Sequence, residues 1–460
     1  MLHRVESDSL GNIKVSTTAL WGAQTQRAIE NFPHVGSPMP EGVIQALALV
    51  KKAAAMANTE LDDLDEVLKK PIIQACDEIL DHQHEDQFPL SVWQSGSGTQ
   101  TNMNLNEVIA NRANEISGHL RGEKYPVHPN DHVNMSQSSN DVFPTAMHIA
   151  TLSALEQYLI PALTNLSCSL EEKSNAFEDQ WKVGRTHMMD AAPMTLGQEF
   201  SGYACQIYYG IQQLEQVKQD LYLLAIGGTA VGTGLNTATG WGDTIIKHLC
   251  VLTGFPLTSA PNKFTALSTH NVLLRVSSSL RQVASDFLII GNNLRVLASG
   301  PRAGLSEIIL PANEPGSSIM PGKVNPTQIE SLTMIATQVI GNDTAVAMAC
   351  SQGHLQLNLF KPVIISNILS SIRLLSEGSL HFAKYCVKGL DCNHDQLSRY
   401  LDNSLMIVTA LTPRVGYDRA AEIAKYAQQH DLTIRQALVK KKIISGEEFD
   451  ELVRQHVLTH

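Results

Sequence analysis

Aromatic residues are scarce in this chain. Phe, Trp and Tyr make up 5% of its 460 residues, while Leu, Ala, Ile, Gln and Glu fill long stretches. That balance favours helix over sheet. Paired cysteines are missing too: Cys76, Cys168, Cys205, Cys250, Cys350, Cys386 and Cys392 form an odd set of seven with no CxxC. This excludes a disulfide frame or a zinc ribbon and fits reduced thiols in the cytoplasm. Nor is there an excess of basic charge. The formal charge is −11 and the pI is near 5.8, which excludes a general nucleic-acid binder but not a locally positive site for a small anion. The opening MLHRVESDSLGNIKV lacks the apolar core of a secretory signal and the acid-poor character of a transit peptide. One uncharged run, Leu221–Gly242, is long enough to raise a membrane span, but it holds six glycines. It reads as a loop after a core helix, so no membrane partner is expected.

Several catalytic signatures are absent as well. HExxH and GxSxG do not occur, so neither a zinc protease helix nor a nucleophile elbow is expected, and no metal or other cofactor is called for. GGTAVGTG (Gly227–Gly234) resembles a phosphate cradle but lacks the GK[ST] ending and the GxGxxG spacing. DHQHED (Asp81–Asp86) has ligand-type residues and reads as an exposed turn.

What is present is a strong helical pattern. The chain is 43% hydrophobic and 17% charged, enough for a large core and about two to four domains. Leu273, Val276, Leu280, Val283, Phe287, Ile290, Leu294 and Leu297 recur three and four residues apart. Similar stripes run from Phe200 to Leu224, with Ile211 included, and from Leu152 to Leu170. Two more fill roughly 327–350 and 362–389. Such a period packs long helices at shallow angles. The expectation is an all-α chain in three regions: a mostly helical 1–136, a central five-helix bundle over 137–393, and a small helical 394–460. In the last, Asp418, Thr433 with Gln436, and Ser445 with Glu448 are expected to head short helices.

Four segments are too polar and Gly-rich for a bundle core: Ser95–Glu107, His128–Asp141, Gly184–Met194 and Glu314–Pro326. One helix cap needs one Ser, Thr, Asn or Asp, whereas Ser138–Asp141 supply four in a row. Helix starts rich in hydroxyls and amides also suit a carboxylate or phosphate. In EPGSSIMPGKVNP, Pro and Gly forbid regular helix. Lys323 can lower a nearby serine's pKa or hold a carboxylate, and Gly316 and Gly322 allow backbone N–H groups to approach an oxyanion and the loop to move. A mobile, cationic, serine-bearing loop suits proton abstraction beside a carboxylate.

GSSIMPGKVNP closely resembles the signature of the fumarase/aspartase superfamily, in particular its class II fumarate hydratases. SGSGTQTNMN, HPNDHVN, QSSNDVFPTAMH, GRTHMMDAAPMTLGQE, GGTAVGTGLN and ILPANEPGSSIMPGKVNPTQ resemble that family in its order, across essentially the whole chain. The resemblance implies a three-domain fold whose long helices form a twenty-helix core in a homotetramer, with active sites shared among subunits. It implies metal-free, reversible hydration of fumarate to (S)-malate in the tricarboxylic acid cycle. Ser317 matches the base that takes the proton from malate C3, and His187 the proton carrier at the hydroxyl, with Glu330 supporting it. Substrate contacts match Ser97, Gly98, Thr99, Ser138, Ser139, Asn140, Thr186, Ser318, Lys323, Val324 and Asn325. His128, Pro129, Asn130 and Asp131 match a second anion site outside the catalytic centre. The alternative within the superfamily is aspartate ammonia-lyase, whose members carry Gln at the place of His187 and Asn at that of His128. Ala303 stands where Cys is expected in many relatives, a change read as one of packing.

Overall fold

A computed structural model of the chain describes residues 2–33 and 35–457. Helix dominates, and the strands form only two-stranded sheets among the described residues. Two compact units are assembled from interleaved segments. The first takes Met1–Pro161, Gly210–Ala284 and Thr337–Ser376, and the second takes Ala162–Tyr209, Ser285–Ala336 and Glu377–His460.

The long helices follow the apolar stripes. They cover Leu196–Leu221, Asn271–Leu297, Thr327–Cys350 and Lys361–Phe382, and a run that begins at Ser139, passes a π-turn at Leu155–Leu159 and ends at Ala176. Each contributes residues to both units. Every member of the Leu273–Leu297 stripe is buried, as are Leu152, Leu155, Leu159, Leu163, Leu166 and Leu170. Full burial of such a side chain is worth about 1.5–3 kcal/mol, so the stripes define the core. Ile211 is the exception in its stripe, only half-buried.

Where the sequence pattern indicates only helix or loop, two hairpins appear. His3–Asp8 pairs with Gly11–Ser16, and Trp181–Thr186 pairs with Met189–Thr195, both antiparallel. The first is short and polar, so it carries no apolar period to announce it. The second lies within a polar segment and ends in a turn of residues that rarely take positive φ. The uncharged run after Leu221 does form a Gly-rich loop, which reaches Trp241 before helix resumes.

In the second unit the C-terminal helices share a small core of Ile407, Leu411, Ile423, Ala427, Leu438 and Phe449 with their neighbours. Thr433 and Gln436 form the expected reciprocal cap. Ser445 Oγ accepts the N–H of Glu448 at 3.1 Å. Asp418 is not a cap: Gly416 occupies that position, and Asp418 lies in the first turn, where its charge suits the helix dipole.

Candidate active site

In the first unit, two polar segments meet at the starts of two helices. Thr99–Ile116 begins after Gly98, whose φ of +75° is left-handed. Gly98 fits against Phe143 of the helix Ser139–Ala154, because a Cβ there would stand 2.6 Å from Phe143 Cγ. Ser95, Ser97 and Thr99 form a hydroxyl chain, with Oγ distances of 2.9 and 2.8 Å.

Of the four polar residues at 138–141, two are caps. Ser138 and Asp141 satisfy each other's backbone N–H groups. The other two reach outward: Ser139 Oγ accepts from Asn102 at 3.0 Å, and Asn140 donates to the Ala230 carbonyl at 2.8 Å. Asp141 also explains the Gly-rich loop. Its Oδ2 accepts the N–H groups of Gly227 and Thr229 at 3.0 and 2.9 Å. GGTAVGTG is thus an anion cradle, and the anion is the protein's own carboxylate. Burial raises Asp141 to about 6, opposed by those N–H groups and by Lys51.

Lys51 lies outside the four polar segments. It is 1% exposed, and its Nζ donates to Asn134 Oδ1 and Gln137 Oε1, both at 2.9 Å. Asn134 in turn accepts from Asn102 and Asn106 at 3.1 Å, so Lys51 organises the amides behind Ser139. Burial pushes its ammonium down to about 7. The signal was available: Leu47, Lys51, Ala54 and Asn58 share one helix face, placing a lysine on an otherwise core-directed stripe.

The HPND segment forms a π-turn over Pro129–Val133. His128 Nδ1 accepts the N–H groups of Asn130 and Asp131 at 3.2 and 3.1 Å, and Asp131 Oδ2 also lies 3.2 Å from it. One nitrogen cannot accept two N–H bonds and donate to a carboxylate. The two backbone donors occupy Nδ1, so the Asp131 carboxylate beside it is a neighbour and not its hydrogen-bond partner. Asn130 and Asp131 are exposed, whereas Pro129 is buried.

The second unit carries the other predicted residues. His187 and Met188 form the two-residue tip of the second hairpin, at φ +56° and +63°. Both angles positive is the type I′ arrangement, which costs non-Gly residues energy and is found where function holds the backbone. Thr186 and His187 are exposed, and no partner binds the His187 side chain among the described residues.

The loop around Ser317 closes on itself. Gly316 N donates to the Lys323 carbonyl at 3.0 Å, and Asn325 Nδ2 donates to the Gly316 carbonyl. A Cβ on Gly316 would lie 2.8 Å from Asn325 N, so this closure requires glycine. Ser317 Oγ accepts the N–H groups of Ile319 and Met320 at 3.2 and 2.9 Å. Two donors aimed at a hydroxyl oxygen favour its anionic form. Ser318, Lys323 and Val324 are exposed, and Asn325 is half-buried. Lys323 has no side-chain partner among the described residues, and neither does Glu330, which is exposed on the first turn of Thr327–Cys350. Within one chain His187 and Glu330 form no ion pair among the described residues. Ala303 is exposed, so its side chain does not belong to the core of the single chain.

Residues 11–341 match a family model described as lyase, and residues 407–460 one described as fumarase C C-terminus. Class II fumarate hydratases from Thermosynechococcus vestitus and Pseudomonas putida are 53% and 54% identical to this chain. The first alignment covers 99% of this chain and 97% of its relative, and the second covers 98% of each. A crystal structure of class II fumarase from Schistosoma mansoni superposes with a TM-score of 0.94 at 42% identity, covering 98% of both chains. A fumarate lyase:delta crystallin from Brucella melitensis bound to cobalt reaches 0.96 at 43% identity, again covering 98% of both. With its sequence matched from end to end and its helices superposing on a class II fumarase, the chain belongs to the class II fumarate hydratases.

Proposed function

We propose that the chain catalyses reversible hydration of fumarate to (S)-malate by acid–base chemistry, with Ser317 as base and His187 as proton carrier. The observation that carries this reading is the Ser317 loop, where two backbone N–H groups converge on Oγ in a segment that also presents Lys323, exposed and without a side-chain partner among the described residues. Taking the proton from malate C3 adds a negative charge that spreads onto the adjacent carboxylate, which becomes a doubly charged aci-carboxylate. Lys323 supplies a cation for it, while Asn325, Ser139 and Asn140 hold the carboxylates. Val324 and Ser318 line the same loop. Losing one such donor costs about 3–4 kcal/mol of transition-state stabilisation.

Hydroxide is a poor leaving group and must be protonated as it departs. His187 is suited to this, with Thr186 beside it and Ser97, Gly98 and Thr99 around the departing water. Such proton transfer contributes about 10²–10⁴-fold. Glu330, without a side-chain partner among the described residues, is assigned to His187 across a subunit interface.

The assembly proposed is a homotetramer with shared sites. Tyr208, Tyr209, Ile289, Met334 and Met348 support it, since these apolar side chains stand exposed on the long helices of one chain. His128, Pro129, Asn130 and Asp131 are proposed as a separate anion site. The three regions 1–136, 137–393 and 394–460 are proposed as the domains of each subunit. A cytoplasmic location and a role in the tricarboxylic acid cycle fit seven free cysteines and a dicarboxylate substrate. Among the described residues no helix is long and apolar enough to cross a membrane.

The test is purified enzyme supplied with malate and, separately, with aspartate. Malate is expected to be dehydrated with negligible ammonia release from aspartate, and His187→Gln is expected to lose most of the malate rate. Aspartate turnover comparable to that of malate would assign the chain to the ammonia-lyases instead.

A further inference from the structure

Glu307 lies between the Asn271–Leu297 helix and the Ser317 loop and is fully buried. A buried carboxylate is strongly disfavoured unless cations meet it. Two do: Lys182 Nζ is 2.9 Å from Oε2, and the Arg185 guanidinium is 2.6 Å from Oε1. Neither contact has the direction of an ideal hydrogen bond, so both depend on charge. Both cations belong to the strand Trp181–Thr186, whose next residue is His187.

Regular alternation would send Lys182 and Arg185 to opposite faces of that strand. The register shifts between Val183 and Arg185, and both side chains reach one carboxylate. A Cβ on the intervening Gly184 would stand 2.7 Å from the Ala192 carbonyl oxygen, so this geometry needs glycine.

The anchorage extends further. Lys182 also pairs with Glu199 at 2.5 Å, and Glu199 accepts the Tyr203 hydroxyl at 2.7 Å. Glu307 N donates to the Leu297 carbonyl, and its own carbonyl accepts from Asn393 N, both at 2.9 Å. The hairpin tip, by contrast, is exposed, has both residues at positive φ, and has no partner for His187 among the described residues. Such a tip is held from its base.

We propose that Glu307 is a positioning residue for the hydration reaction: by clamping Lys182 and Arg185, it sets where the hairpin presents His187. This rests on the reading of His187 as proton carrier. The experiment compares full-length wild type with E307Q, H187Q and the double variant, measuring kcat and KM for malate. Glu307→Gln keeps the shape and removes the charge.

Loss of register at an acid group is expected to lower kcat by about tenfold to a hundredfold. KM should stay within about twofold, since the carboxylate-binding side chains are untouched. In the H187Q background, E307Q is expected to cause no further loss, the mark of two residues acting through one step. An H187Q enzyme with wild-type kcat would remove the underlying reading. A slow H187Q with E307Q at full kcat, or losses that multiply in the double variant, would overturn the role of Glu307 alone. If E307Q does not fold, Arg185→Gln, which leaves Glu307 paired with Lys182, must show the same kcat loss and the same non-additivity. R185Q at full kcat would overturn the proposal.

Discussion

Gly98→Ala introduces a single methyl group between two residues assigned to the substrate. Two costs follow from the structure. The φ of +75° is left-handed, and holding an L-residue there costs about 1–2 kcal/mol. The new Cβ would lie 2.5 Å from Phe143 Cε2, well inside the roughly 3.5–4.0 Å of a relaxed carbon contact. Phe143 is 0% exposed, so overpacking against it adds about 1–3 kcal/mol. The total is about 2–5 kcal/mol.

A control sits just past the other end of the same helix. Gly118 has φ +83° with nothing within 4 Å of a built Cβ, so Gly118→Ala carries only the backbone cost of about 1–2 kcal/mol. Urea unfolding of both variants, followed by circular dichroism, isolates the steric part as their difference. Malate dehydration should fall in G98A, which displaces Ser97 and Thr99, and stay near wild type in G118A. Equal stability losses in the two variants would refute the close packing of Gly98 on Phe143.

Ser317→Ala is expected to abolish most turnover while leaving circular dichroism unchanged, because the loop contributes chemistry and little core; near-normal turnover would remove serine from the base role. Lys323→Ala should be similarly severe, since Lys323 is the cation proposed to face the developing aci-carboxylate. Sedimentation should give a particle about four times the 50.2 kDa chain, and an active monomer would overturn the shared-site proposal. Lys51 bears on pH dependence. Its folded value of about 7 lies below the ordinary 10.5, so between these values the unfolded chain binds more protons. The contribution of Lys51 to stability therefore rises with pH across that window, by up to about 1.4 kcal/mol per unit, and is lost as pH falls through 7. Subtracting the stability of Lys51→Met from that of wild type should reveal this slope; a flat difference from pH 7 to 10 would contradict the buried, weakly basic lysine.

The amino-acid sequence by itself determined the long helices and most of the polar segments proposed to carry the site. Helical periodicity is local, so the spacing from Leu273 to Leu297 marks a buried face without knowledge of its neighbours. Pro and Gly density likewise marks the Ser317 loop, because it forbids helix wherever the chain lies. Tertiary structure alone decided the pairings. Asp141 fills the Gly-rich cradle from 86 and 88 residues away, and Glu307 meets Lys182 and Arg185 across more than a hundred positions, distances over which no local pattern survives. The hairpin behind His187 was hidden for a related reason. Its register irregularity and left-handed tip are held by contacts outside the strand, whereas strand propensity registers only side chains that fit a regular pleat.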